Sequence, residues 1–251
     1  MRILITNDDG WGSKGILTLV DEMRKLGDVT VVAPEGPRSG QSNAISVLKM
    51  LRLKKIMDAS GLQVYLTNGT PTDCIKLGIS ELFTDALPDL VVSGINHGDN
   101  GMVNVIYSGT MGAVFEGCAR GIPSIGFSLC DHNPEADFTY FRPHLLELTR
   151  RILAMPKREY LCWNINCPVG PVKGTKITRH CHGYWDKEYV SYVDPTGGPF
   201  YILTGQFINT EPEAQDTDQY ANAHGYISVP PTTIDMTDKQ WRDLINTGLE
   251  Y

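Results

Sequence analysis

The first ten residues, 1–10, read MRILITNDDG and decide the fold. Residues 2–6 are apolar or favour β structure, and the polar, turn-forming residues that follow them cannot continue a strand. Apolar residues then recur at helical spacing from Ile16 to Leu26, Gly27 is expected to close that helix, and a second strand is predicted over 29–34. The order strand, helix, strand is typical of a parallel α/β sheet.

The same alternation continues through the first half of the chain. Strands are predicted over 64–67, 89–93 and 124–128, and helices from Thr70 to about Phe83 and from Met111 to about Arg120. A loop is expected between the strand at 89–93 and the helix that begins at Met111. Nearly continuous apolar strands indicate a sheet covered by helices on both faces, and such sheets bind ligands at the carboxyl ends of their strands.

The pattern changes after about residue 130. An amphipathic helix is predicted over about 142–155, then aromatic, β-rich hairpins, and then a short final helix over about 237–246. We therefore divide the chain into an α/β catalytic region, 1–130, and a region, 131–251, that completes the fold. Its hairpins and tail are expected to contact another subunit, because aromatic hairpins exposed on a monomer would promote aggregation.

Length, composition and charge exclude several classes of function. The chain has 251 residues and no apolar run of about 18 residues, so no membrane span is expected. A net charge of -7 disfavours a nucleic-acid polymer as partner, because such binding depends on Lys and Arg. The N-terminal sequence has no secretory signal, so a cytoplasmic location is expected. The six cysteines are expected to be reduced thiols.

Polar residues gather in three segments that each directly follow a predicted parallel strand. These segments are 7–10, 38–43 and 94–100. Because the carboxyl ends of parallel strands meet at one edge of a sheet, we expect the three segments to lie together there.

The first and third segments, with a serine from the second, supply a set of oxygen ligands. Asp8, Asp9, the Ser39 hydroxyl and the Asn96 amide suit a hard ion such as Mg²⁺ or Mn²⁺ and include no soft ligand that favours zinc. Two carboxylates neutralise one divalent ion, so a phosphate dianion would meet a neutral site. The alternative is that both aspartates only cap the first helix or its turn.

A further polar stretch precedes the helix predicted at Met111. Ser108, Gly109 and Thr110 are candidates to bind phosphate, because free backbone N–H groups and the helix dipole attract anions at a helix N-terminus. The alternative is an ordinary helix cap.

Other conspicuous side chains have two interpretations each. His97 could protonate a leaving oxygen, or it could simply hydrogen-bond the backbone. A basic cluster could be a solvated face or could attract an anionic substrate. A zinc site built from cysteine and histidine is disfavoured by their spacing on predicted strands. Aromatic residues of the second half could stack on a base, although a subunit contact is the preferred interpretation. The basic cluster is Lys49, Arg52, Lys54 and Lys55; the residues considered for zinc are Cys162, Cys167, His180, Cys181 and His182; and the aromatic residues are Trp163, Tyr184, Trp185, Tyr189 and Tyr192.

Five ordered motifs resemble those of the SurE nucleotidase family. They are MRILITNDDG from Met1, VVAPEGPRSGQSN from Val31, GTPTDC from Gly69, VVSGINHGDN from Val91 and YSGTMGAVFEG from Tyr107. They cover about the first half of the chain, and 216–218 and 225–230 add a weaker similarity. The sequence departs from the family at 13–15, where Ser-Lys-Gly stands in place of the common Ala-Pro-Gly.

The resemblance implies a Rossmann-like domain and hydrolysis of nucleoside 5′- and 3′-monophosphates. It implies one divalent metal ion, Mg²⁺ or Mn²⁺, held by Asp8, Asp9, Ser39 and Asn96. It also implies a homodimer or homotetramer in which a C-terminal segment is exchanged between subunits.

The expected mechanism is in-line attack of water on a bound phosphate. Asp8 would orient the water, while Asn43, Ser108 and the N-terminus of the Met111 helix would hold the phosphate oxygens. One alternative makes Asp8 the nucleophile, which would form an aspartyl phosphate. Another is a regulatory protein that binds a nucleotide without hydrolysing it. Redox dinucleotide binding is disfavoured, because no G-x-G-x-x-G follows the first strand.

Overall fold

A ten-stranded sheet forms the centre of the protein. The structure, a computed structural model, describes residues 1–238. The strands are β1 (Arg2–Thr6), β2 (Asp28–Pro34), β3 (Leu53–Ala59), β4 (Leu62–Thr67), β5 (Leu90–His97), β6 (Ser124–Leu129), β7 (Leu161–Cys167), β8 (Thr175–Ile177), β9 (Gly183–Asp186), β10 (Tyr189–Val193), β11 (Pro199–Leu203), β12 (Gln206–Asn209), β13 (Ile227–Val229) and β14 (Pro231–Thr233).

The strand order of the central sheet is β3-β4-β2-β1-β5-β6-β7-β13-β8, and β14 also pairs with β7. The strands from β4 to β7 in this order are parallel, whereas β3 is antiparallel to β4, and β13 and β14 are antiparallel to β7. Apolar residues fill the parallel strands because both faces of the sheet are covered. The prediction of a mostly parallel α/β sheet is confirmed.

Helices pack on both faces of the sheet, as predicted. The helices are α1 (Lys14–Met23), α2 (Pro71–Leu77), α3 (Gly109–Ala119), α4 (Arg142–Leu153) and α5 (Asp218–Ala223). The apolar sides of α1 and α4 belong to one core cluster, whereas those of α2 and part of α3 belong to a second. A π-helical turn, Gly78–Leu82, extends α2 close to its predicted end. Within residues 1–238, no helix is long and apolar enough to cross a membrane.

Several boundaries differ from those predicted. The region predicted as a loop after residue 93 begins as strand, because β5 continues to His97 and pairs with β6 beyond a shift in register. A 3₁₀ turn, Met102–Ile106, follows it, and α3 begins two residues before Met111. The first helix ends at Met23, before the predicted Leu26.

The second half of the chain contributes to the same sheet and also projects from it. Strands β7, β8, β13 and β14 extend the central sheet, so the division at residue 130 stays a prediction. The predicted hairpins are present as two successive ladders, β9 with β12 and β10 with β11. Every residue of β10 and β11 is exposed. The helix predicted over 237–246 falls almost wholly outside the described residues.

Candidate functional site

The order of the strands creates a crevice at the carboxyl end of β1. From β1 the chain adds β2 and β4 on one side and then crosses to add β5 on the other. Loops from neighbouring strands part at such a reversal, which is where open α/β sheets bind ligands. Asp8 and Asp9 follow β1 directly, and Asn96 lies near the end of β5. The structure thus brings the first and third predicted segments together.

Asp8 is a buried carboxylate, only 5% exposed. The Thr110 hydroxyl donates to Asp8 Oδ1 at 2.6 Å. Burial raises the pKa of Asp8 to about 6, the hydrogen bond from Thr110 opposes this rise, and the charge of Asp9 adds to it. A buried carboxylate of this kind gains stability from a cation, so Asp8 fits a metal ligand.

Asp9 is held by His97. The two side chains meet at 2.9 Å between His97 Nδ1 and Asp9 Oδ2, and the Phe138 ring lies edge-on to the imidazole. His97 Nε2 is buried without a hydrogen-bond partner among residues 1–238. This placement does not support His97 as the acid for a leaving oxygen. It fits a side chain that orients Asp9, because carboxylates at metal sites are themselves held by hydrogen bonds from neighbouring side chains.

The loop after β1 is shaped by Asn7, which is fully buried. Its amide nitrogen donates to Gly10 O and Ser13 Oγ, each at 3.0 Å, and its oxygen accepts from the Gly10 N–H. At Gly15, in the first turn of α1, a Cβ atom would lie 2.0 Å from Ile95 O, so the helix packs directly on the β5 backbone. Asn7 belongs to the first predicted segment, but the sequence did not show either of these contacts.

The second predicted segment also reaches the crevice. The Arg38 N–H donates to Asp8 O at 2.7 Å, which places the neighbouring Ser39 beside the loop after β1. Ser39 is exposed. The Asn96 amide nitrogen donates to Gly98 O at 2.7 Å, so the amide oxygen is the atom left for a cation. The predicted ligand set therefore lies on one rim of the sheet.

Asn43 lies against the first turn of α3. A Cβ atom at Gly112 would be 3.0 Å from Asn43 Oδ1 and 2.3 Å from Ser42 O, so only glycine allows this approach. Ser42 also fixes the segment, since its N–H donates to Tyr107 O at 3.0 Å. An amide side chain and a helix N-terminus thus face the same space.

The predicted phosphate cradle occupies the start of α3. Ser108 is the N-cap, and its hydroxyl accepts from the Met111 N–H at 3.0 Å. Gly109 and Thr110 form the first turn, where backbone N–H groups have no partner within the helix. Asp8 lies next to this turn, because a Cβ atom at Gly109 would be 3.1 Å from its Cβ. The ordinary cap is therefore present, and the N–H groups of Gly109 and Thr110 stay available to an anion at the same helix end.

The donor set fits a hard divalent ion. Among residues 1–238, no three or more His, Cys, Asp or Glu side chains are grouped to hold a metal. The predicted set has only two such residues, Asp8 and Asp9, and completes its ligands with a hydroxyl and an amide. The cysteines and histidines considered for zinc have other partners; for example, His180 bonds Asp218 and Cys162 bonds Thr232 O.

Comparison with known proteins decides the family. The family model described as survival protein SurE matches residues 3–187. The chain belongs to the SurE family. Two relatives named 5′-nucleotidase SurE, from Phocaeicola vulgatus and Bacteroides fragilis, are each 45% identical to it. The alignments cover 94% and 96% of this chain, and 91% and 94% of those proteins.

A solved structure of the SurE family has the same fold. The crystal structure of the SurE protein from Aquifex aeolicus matches with a TM-score of 0.84 and 32% sequence identity. The match covers 98% of this chain and 99% of that one. The resemblance seen in the five motifs is thereby confirmed, and in this SurE chain the loops after β1 and β2 and the start of α3 border the same crevice.

Proposed function

We propose that this SurE chain is a metal-dependent 5′-nucleotidase that hydrolyses nucleoside 5′-monophosphates, and 3′-monophosphates as well, to nucleoside and phosphate. Its relatives named 5′-nucleotidase SurE support the reaction. The observation that carries the proposal is the buried Asp8 carboxylate, placed beside Asp9 and against the N-terminus of α3. Side chains that can bind a cation thus lie next to a helix N-terminus that can bind phosphate.

Asp8, Asp9, Ser39 and Asn96 would hold one Mg²⁺ or Mn²⁺ ion. When bound, the ion would supply positive charge to the phosphate and lower the pKa of a coordinated water. The two carboxylates balance its charge, so that a phosphate dianion is not repelled.

The protein itself supplies the remaining contacts to phosphate. The N–H groups of Gly109 and Thr110, the Ser108 hydroxyl and the Asn43 amide would donate to its oxygens, and the α3 dipole would favour its charge. The N–H groups and the Ser108 hydroxyl are fixed before substrate binds, since the helix and its cap already hold them. Phosphoryl transfer depends largely on such positioning and charge stabilisation.

Asp8 would orient the attacking water. Its Oδ1 accepts from Thr110, so Oδ2 is the oxygen left to accept a hydrogen bond from the water. His97 would keep Asp9 in place from behind. If instead Asp8 attacks phosphorus, rapid quenching with labelled substrate would leave an acid-stable label that hydroxylamine releases. Direct attack by water leaves the protein unlabelled.

Release of inorganic phosphate from AMP and GMP tests the function. We expect turnover with Mn²⁺ or Mg²⁺, its loss in EDTA, and its return when excess metal ion is added. A regulatory protein would bind nucleotide under these conditions without releasing phosphate. That result would contradict the proposed reaction.

We further propose that the protein acts in the cytoplasm as a homodimer or homotetramer. The support for assembly is the hairpin formed by β10 and β11, which exposes large side chains on both strands. Tyr189 and Leu203, for example, are each 65% exposed. Apolar surface of this kind is typical of protein contacts. Exchange of a C-terminal segment between subunits stays a prediction.

A further inference from the structure

A cavity of about 580 Å³ lies on the same rim as the crevice. The chain that leaves β5 forms one wall, with Asp99, Gly101 and Met102, and α5 forms the opposite wall, which includes Gln219 and Ala223. The loop after β7 closes a third side. None of the contacts proposed above for metal or phosphate uses this cavity.

The cavity is within reach of a ligand bound at the crevice. Asp99 follows Asn96 by three residues, so their Cα atoms are at most about 11 Å apart. The connecting segment crosses the ends of the next two strands: Asn100 donates to Ser128 Oγ of β6 at 2.9 Å and to Asn166 Oδ1 of β7 at 2.7 Å. Adjacent strands are about 4.8 Å apart. A nucleotide with its phosphate at α3 can therefore extend its base in this direction.

Only some polar groups of the cavity are available to a ligand. The Asp218 carboxylate already accepts from the N–H groups of Met102 and Cys181, and it contacts His180 Nδ1 at 2.9 Å. It therefore supports the wall. Asp99 has a much weaker contact, from Asn104 Nδ2 at 3.4 Å, and burial raises its pKa. Asp99 is thus the cavity carboxylate with acceptor capacity to spare.

Asn104 is itself held in position. The Trp185 Nε1–H, from β9 at the root of the hairpin, donates to Asn104 Oδ1 at 2.9 Å. The amide nitrogen of Asn104 is thereby turned towards Asp99. Asn104 and Trp185 are positioning residues for this carboxylate.

We propose that this cavity binds the nucleoside half of the substrate and that Asp99 selects guanine. The inference rests on the proposed nucleotidase function. A carboxylate accepts two adjacent N–H donors well, and guanine presents such a pair at N1 and N2. Adenine offers one amino group beside a ring nitrogen whose lone pair the carboxylate repels. Met102 and Val169 supply apolar surface for the base, as nucleoside pockets require.

Two variants test the proposal through ratios of kcat/KM. Asp99→Asn keeps the size of the side chain, and we expect it to lower the GMP to AMP ratio at least about tenfold, the scale of one bidentate base contact. Val169→Trp adds bulk at a residue that is 63% exposed, so the fold should tolerate it. We expect it to lower kcat/KM for GMP and for AMP, each relative to kcat/KM for p-nitrophenyl phosphate, by a similar factor.

Binding of guanosine in EDTA separates this proposal from the proposed reaction. By saturation-transfer NMR, wild type and Asp8→Asn should both bind guanosine, whereas Asp99→Asn should bind it at least about tenfold more weakly. If Asp99→Asn and Val169→Trp both keep the wild-type ratios of kcat/KM, or if neither of them weakens guanosine binding, the cavity assignment is overturned. The proposed phosphatase reaction is unaffected by that result. Absence of hydrolysis of every ester, with guanosine binding as expected, would instead refute the reaction.

Discussion

The crevice and the hairpin formed by β10 and β11 both contain conspicuous residues, but the two regions differ in which side chains are buried and which are exposed. In the crevice, a carboxylate is buried and hydrogen-bonded: Asp8 is 5% exposed and accepts from Thr110. In the hairpin, apolar groups are exposed, as at Tyr201, which is 64% accessible. Each region places side chains where they are unfavourable in an isolated chain. The proposals made above give each region a partner: a cation and phosphate for the crevice, and protein surface for the hairpin.

The largest effect is expected when the crevice loses a carboxylate. Asp8→Asn and Asp9→Asn should each lower kcat by about 100- to 1,000-fold at saturating metal, the scale seen when a fixed charge-stabilising group is removed. Phosphate release measures this, and circular dichroism should show an unchanged fold. Asp28→Asn is the matched control, since Asp28 is exposed at the opposite end of β2. Near-wild-type turnover in either crevice variant would show that this carboxylate, like the hairpin side chains, is not needed for turnover.

The buried carboxylate should also make stability depend on pH. Because the pKa of Asp8 rises from 3.8 to about 6 on folding, protonated Asp8 is favoured in the folded state. Its contribution to stability is complete at low pH and is lost as pH rises through about 6. In EDTA, wild type should therefore lose about 2 kcal/mol relative to Asp8→Asn between about pH 4 and pH 7.

Urea unfolding at the two pH values measures this difference. Adding Mn²⁺ at pH 7 should stabilise wild type more than Asp8→Asn, since the cation binds only the folded site. Parallel pH profiles for the two proteins would show that the burial of Asp8 carries no charge penalty.

A smaller effect is expected at the group that supports Asp8. Thr110→Val keeps the shape but removes the hydroxyl donor, so kcat should fall about tenfold and the unfolding free energy by about 1.5 kcal/mol. Thr149→Val is the control, because Thr149 is equally buried in α4 and bonds Leu145 O away from the crevice. It should lower stability without a specific loss of turnover. Equal rates in the two variants would count against Thr110 as a supporting group.

The smallest effect on turnover is expected in the hairpin. Tyr189 and Leu203 are paired across β10 and β11, and replacing both with Ser should reduce the mass measured by light scattering. Hydrolysis of p-nitrophenyl phosphate per chain should stay within about twofold, as for other surface changes. Replacing Ile56 and Met57 of β3, each 40% exposed, with Ser should keep the mass. A wild-type mass in the hairpin variant would exclude this surface from assembly.

The parallel half of the fold could be predicted because local patterns agree with tertiary structure there. Strand β1 ends where apolar residues give way to Asn7, and α2 begins at its Thr70 cap with Pro71. Strand β3 was missed because Lys54 and Lys55 give it the charged character of an edge strand. The extension of β5 was missed because polar residues near its end pair with β6, which no local pattern shows.

The site was predictable to the extent that its groups follow strand ends. Asp8, Asp9 and Asn96 share a rim because parallel strands align their carboxyl ends. The hydrogen bond from Thr110 to Asp8 joins residues 102 positions apart, and the contact of Asp218 with Met102 spans 116. Sequence spacing carries no signal for such pairs. The cavity beside Asp99 was missed for this reason.

Gly15 limits how the start of α1, beside the crevice, can evolve. Because α1 touches the β5 backbone there, any larger residue would push apart the two strand ends that carry Asp9 and Asn96. The neighbouring Lys14 is exposed and meets no such barrier. In a library randomised at these two positions, diversity should survive at position 14 and vanish at 15. Adaptation to a new substrate would therefore come from exposed loop positions and the proposed base cavity, while the helix contact beneath the two aspartates stays fixed.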